Sequence, residues 1–80
     1  MLKMEFSKFM KQVLDEKKIP YLTCMDLTNG GAILEVSLNV NIWNTLERLL
    51  SNYPSKQLYN IYATHEKLVF VFQLNVGRDP

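Results

Sequence analysis

The chain has 80 residues, nine of them Lys or Arg and eight Asp or Glu, for a formal net charge of +1. With 48% apolar and 21% charged residues, its composition is that of one small folded domain, not of a disordered chain. The charge balance weighs against a non-specific nucleic-acid binder, whose affinity rests on many phosphate-neutralising cations. A single cysteine allows no intrachain disulfide, which fits a reducing, cytoplasmic setting.

The N-terminal stretch Met1–Phe6 lacks the apolar run of a signal peptide, since Glu5 and then Lys8 interrupt it. No window nears the roughly 18 uninterrupted apolar residues of a membrane span. The longest apolar run, Leu68 to Phe72, is of strand length. One domain is expected over residues 1–76, with 77–80 as a flexible polar tail. Seven Asn and seven Lys against two Arg point to an AT-rich coding source, such as a low-GC bacterium or its phage.

The spacing of Leu2, Phe6, Phe9, Met10, Val13 and Leu14 predicts a helix with one apolar stripe, ended by Pro20. From Tyr21 to Val40 the period changes to two. Ala32, Leu34, Val36, Leu38 and Val40 alternate with more polar residues, as in a strand with one buried face. Asn29-Gly30 before it reads as a two-residue hairpin turn. That register pairs Met25 with Leu34 and turns Tyr21, Thr23, Met25 and Leu27 toward the core. It turns Leu22, Cys24, Asp26 and Thr28 outward. A three-residue loop reverses the assignment.

A second helix is predicted from Ile42, Leu46, Leu49, Leu50 and Tyr53, with Asn39 or Asn41 as cap and Pro54 as stop. Two strands follow, 56–64 and 67–76, joined by a turn at His65-Glu66. Tyr59, Ile61 and Ala63 are assigned to the core face, with Leu68, Phe70, Phe72, Leu74 and Val76.

The order αββαββ contains a repeat. An offset of 36 residues superposes helix on helix and turn on turn, and makes six identities, including Leu38-Asn39-Val40 on Leu74-Asn75-Val76. The expected fold is α+β, a pseudo-duplicated two-layer sandwich with a four-stranded antiparallel sheet and both helices on one face. The long apolar second and fourth strands are expected at its centre.

No catalytic constellation emerges. Cys24 has no nearby base in the sequence pattern and reads as an inert strand thiol. His65-Glu66 lacks the second histidine of a zinc-protease pattern, and one His with one Cys cannot build a four-ligand zinc site of those residues. Asp26 and Glu35 are expected as solvated charges on the outer face of one hairpin. Asn29-Gly30-Gly31 lies between strands, with no following helix N-terminus to receive a phosphate. No cofactor, metal or membrane contact is therefore expected.

One feature remains after the helices have been given their own sheet face. Leu22, Ile33, Leu58, Tyr62, Val69 and Val71 are left on the opposite face, which in a monomer is normally polar. They imply a protein interface, used by a homodimer or by a larger protein partner; strand propensity alone is the competing explanation. Trp43, beside the stripe residue Ile42, is a second candidate anchor at the core margin. The size and composition fit a non-enzymatic accessory or inhibitor protein of a phage or bacterium. Val71→Asp or Val69→Lys is expected to leave the chain folded and abolish association. The alternative is a small nucleic-acid binder using Lys8, Lys11, Lys17 and Lys18 of the first helix.

Overall fold

The computed structural model describes residues 5–75, and the two helices and four strands implied by the apolar spacing are all present, with shorter first and second strands than expected. In chain order these are α1 (Phe6–Glu16), β1 (Thr23–Asp26), β2 (Ala32–Ser37), α2 (Trp43–Asn52), β3 (Lys56–Ala63) and β4 (Lys67–Leu74). The strands form one antiparallel sheet in the order β1-β2-β4-β3, so the two apolar strands are central. Leu2 and Val76 lie outside the described residues, as does the proposed tail.

The core is a single layer between helices and sheet. Phe6, Met10, Val13 and Leu14 of α1 meet Leu46 and Leu49 of α2, with Ile42 and Tyr53 at its two ends. Beneath them lie Cys24, Ala32, Leu34, Val36, Phe70 and Phe72. Both helices therefore cover the same sheet face, because each has one apolar stripe and only one partner on which to bury it. Phe6 stands edge-on to both Tyr53 and Phe72, with ring centroids 5.1 Å apart in each pair. Trp43 is 55% exposed but rests edge-on against Phe70 at 5.9 Å, so it roofs the helix-side core.

Helix ends are handled by neighbours more than by their own residues. The N-cap Glu5 makes no side-chain cap bond. Instead Asp26 of β1 accepts the Ser7 backbone N–H at 3.2 Å and the Ser7 hydroxyl at 2.7 Å, capping α1 from across the fold. At the other end Lys18 takes a positive φ of 57°. Its N–H donates to the Asp15 carbonyl and that of Ile19 to the Leu14 carbonyl, the pair of hydrogen bonds that closes many helices. At α2 the Asn41 side chain accepts the Trp43 N–H at 3.1 Å.

The repeat is visible in the element bounds. Shifted by 36 residues, α1 falls on 42–52 and β2 on 68–73, close to the bounds of α2 and β4, while the shorter β1 falls on 59–62, inside β3. Leu34 pairs with Phe70, its own equivalent at that offset, so the pseudo-two-fold axis passes between them at the centre of the sheet.

The first hairpin differs from expectation. Leu27 donates its N–H to the Gly31 carbonyl at 2.8 Å, and Gly30 donates to the Leu27 carbonyl at 3.1 Å. The loop is thus Thr28-Asn29-Gly30, a tight turn followed by Gly30 at φ 88°. Asn29 keeps a negative φ and uses its side chain to accept the Gly31 N–H at 2.9 Å. Cys24 consequently pairs with Leu34 and Met25 with Ile33. This shift of one residue reverses the faces of β1: Cys24 and Asp26 turn toward the helices, while Thr23 and Met25 turn outward. Leu27 is half-buried, Tyr21 packs against the core as expected, and Leu38 lies past the end of β2, exposed.

The second hairpin turns through His65-Glu66, and Ala63 pairs with Leu68. An irregularity between Leu58 and Asn60 leaves Tyr59 unpaired and 62% exposed, contrary to its assignment to the core. The bulge carries Leu58 to the helix side, opposite Phe72 and packed against the core.

Candidate functional site

The outer sheet face can be laid out from the register. One row across the sheet is Thr23 (β1), Glu35 (β2), Val69 (β4) and Tyr62 (β3). The next is Met25, Ile33, Val71 and Asn60 in the same strand order. Apolar side chains thus form a stepped band, Met25-Ile33-Val71-Val69-Tyr62, running from one edge of the sheet to the other. Met25 and Tyr62 at its ends are 49% and 47% exposed, while Ile33 and Val71 are half-buried. Val69, at the step, is only 1% exposed although it is not part of the core beneath the helices.

Four of the six residues assigned to this face from sequence stand there: Ile33, Tyr62, Val69 and Val71. Leu58 does not, because the bulge turns it inward. Leu22 lies just before β1, with its N–H on the Glu35 carbonyl at 2.7 Å and its side chain 59% exposed. It is not in the band. Met25 was missed, since the Asn-Gly pair permits both loop lengths and only the longer one turns it outward. The burial of Val69 also changes one expected outcome. Val69→Lys would place a cation in a filled site and destabilise the fold, whereas Val71 is only half-buried and is the better position for a test substitution.

On one flank the band meets a charged cluster. Glu35 accepts a hydrogen bond from the Thr23 hydroxyl at 2.8 Å and another from the Lys67 ammonium at 3.0 Å. The Thr23 bond first, and then the Lys67 bond, hold its carboxyl below the ordinary carboxylate range. Glu35 is thus on the outer face as expected. Asp26 is not: it faces α1. On the other flank lie the amides Asn60 and, opposite one another, Gln57 and Gln73.

The remaining candidates are occupied structurally. Cys24 is buried, and burial pushes its thiol up to about 11, so it stays protonated near neutrality and donates to the Ser7 carbonyl at 3.6 Å. His65 and Glu66 sit exposed in their turn. A cleft of about 220 Å³ opens between the start of α1 and the first hairpin. Of its two acids, Asp26 holds Ser7 and Glu5 lies 3.8 Å from Lys8, while its base Lys56 donates to the Gly30 carbonyl at 2.6 Å, 6.0 Å from the Phe6 ring centre. It is smaller than typical ligand pockets of about 300–1,000 Å³. Among the described residues, no group of three His, Cys, Asp or Glu could hold a metal ion, and every buried side-chain N or O atom has a partner. Among the same residues, no helix is long and apolar enough to cross a membrane.

The basic residues of the first helix are interleaved with acids. Lys8 lies 3.8 Å from Glu5, and Lys11 shares its exposed side with Asp15 and Gln12. Lys17 and Lys18 belong to the turn that ends α1. Comparison of the chain with protein-family models, with curated proteins and with solved structures found no match.

Proposed function

We propose that the protein is a non-enzymatic interaction module that docks on another polypeptide through its outer sheet face. The observation that carries this reading is the apolar band Met25-Ile33-Val71-Val69-Tyr62 on the side of the sheet opposite α1 and α2. An antiparallel sheet face left to water is normally polar, and a contiguous apolar strip there favours a protein partner. The dispersal of Lys8, Lys11, Lys17 and Lys18 among acids gives the nucleic-acid alternative less support. A role as an accessory or inhibitor protein of a bacterium or phage fits the size and the Asn- and Lys-rich composition.

The test is photocrosslinking in the cells that produce the chain, with p-benzoylphenylalanine placed at position 25, 62 or, as control, 15. Protein adducts from positions 25 and 62 and none from Asp15 on α1 are expected. No adduct from either sheet position, or equal yield from position 15, overturns the reading.

A further inference from the structure

We infer that Asn29 is a self-modification site: the Gly30 nitrogen can displace its side-chain amide, and the closed hairpin holds that reaction back.

The chain has seven asparagines, and Asn29 is the only one followed by glycine. The others precede Val, Ile, Thr or Tyr, whose β-branched or aromatic side chains crowd the peptide nitrogen beside the amide. Gly30 has no Cβ to do so. Asn29 is also exposed, so water and base reach it. The displacement needs no cofactor. A solvent base removes the Gly30 N–H proton, and the nitrogen forms a bond to Cγ of Asn29. The bond from Cγ to Nδ2 then breaks, and the amide nitrogen leaves as ammonia. Water opens the resulting succinimide at either carbonyl and restores the N–H. One product is aspartate. The other is isoaspartate, in which the main chain runs through Cβ and Cγ. Either product takes the formal net charge from +1 to zero.

The hairpin sets one half of this reaction and withholds the other. Asn29 Oδ1 accepts the Gly31 N–H at 2.9 Å. That bond folds the amide back over its own backbone and puts a donor on the oxygen that gains charge as the nitrogen adds. The Gly30 N–H, however, is committed to the Leu27 carbonyl at 3.1 Å, inside the turn. Lys56 adds a latch, donating to the Gly30 carbonyl at 2.6 Å and tying the loop to the start of β3. A polarised amide without a free nucleophile does not react, so the restraint decides. Modification therefore waits on local opening of the loop. The isoaspartate form adds a main-chain carbon between Leu27 and Gly31, whose 2.8 Å hydrogen bond closes the hairpin, so the modified loop cannot keep that closure unchanged.

Peptide mapping of the purified chain, incubated at mildly alkaline pH with and without urea, tests this. Conversion should occur at Asn29 ahead of the other six asparagines. It should be about tenfold or more slower in the folded chain than in urea, since only the open loop reacts. Lys56→Met, which loses the latch, should speed conversion severalfold in the folded chain and leave the rate in urea unchanged. Leu68→Ala is the control, because it weakens the fold at the opposite end of β4 from the loop and should keep the wild-type rate. An Asn29 that stays intact in urea overturns the inference. So do equal rates with and without urea, a Lys56→Met rate that does not rise, or Leu68→Ala as fast as Lys56→Met.

Discussion

The hairpin of β1 and β2 turns through three residues and keeps one register from Thr23 to Asp26, whereas that of β3 and β4 turns through two and carries an extra residue at Tyr59. The two occupy equivalent places in a 36-residue repeat, so the difference is informative. Near the turn, the longer loop sends Cys24 to the helices and Met25 outward. The shorter loop does the opposite at the equivalent positions, sending Ile61 inward and Asn60 outward. Beyond Tyr59 the bulge restores the parity of the first hairpin, and Leu58 reaches the core. One residue in a loop or a strand therefore decides which side chains serve the core and which form the outer band.

The largest expected effect comes from the turn glycine whose equivalent is Lys67. A Cβ on Gly31 would lie 2.5 Å from the Phe72 carbonyl oxygen, a backbone atom of β4 that cannot step aside. Gly31→Ala should cost about 1–3 kcal/mol in urea unfolding, the range of overpacked sites. Lys67→Ala, at the equivalent position, loses a partly exposed ion pair and should cost about 0.5 kcal/mol. Similar costs at the two sites would break the comparison. Deleting Tyr59 is a sharper case, because Leu58 and Asn60 already hold paired positions without it. The deletion variant should fold with stability within about 1 kcal/mol of the parent, as expected for removing an unpaired bulge residue. A large loss would mean that the bulge is required for more than parity.

The smallest effect lies in the acid limb of stability. Glu35 has its carboxyl lowered from 4.5, so its contribution is present above that value and is lost as pH falls through the lowered one. Glu35→Gln should lower stability slightly at neutral pH and flatten the fall below about pH 4.5 by the same small amount. An unchanged acid limb would show that the Thr23 and Lys67 bonds do not form in solution.

Much of this architecture is legible in the sequence. Ile42, Leu46, Leu49 and Tyr53 mark a buried stripe by spacing alone, and the alternation through Ala32–Val36 and Leu68–Phe72 marks two central strands, because side-chain direction follows backbone period. The faces of the edge strands were not legible. Asn29-Gly30-Gly31 satisfies either loop length, and Leu58-Tyr59-Asn60 contains no glycine to signal a bulge. The deciding contacts are distant in sequence. Asp26 meets Ser7 across 19 residues, and no local pattern contains that bond. The outer band was accordingly foreseen at Ile33, Tyr62, Val69 and Val71, missed at Met25 and misplaced at Leu58.

The central claim is that the outer sheet face, rather than the helices or the cleft beside α1, is the surface through which this chain associates. Photocrosslinking in the cells that produce the chain, from positions 25 and 62 of the sheet and position 47 of α2, addresses it most directly. The account predicts protein adducts from the two sheet positions and none from exposed Glu47. No adduct from either sheet position, or adducts from α2 alone, would contradict it.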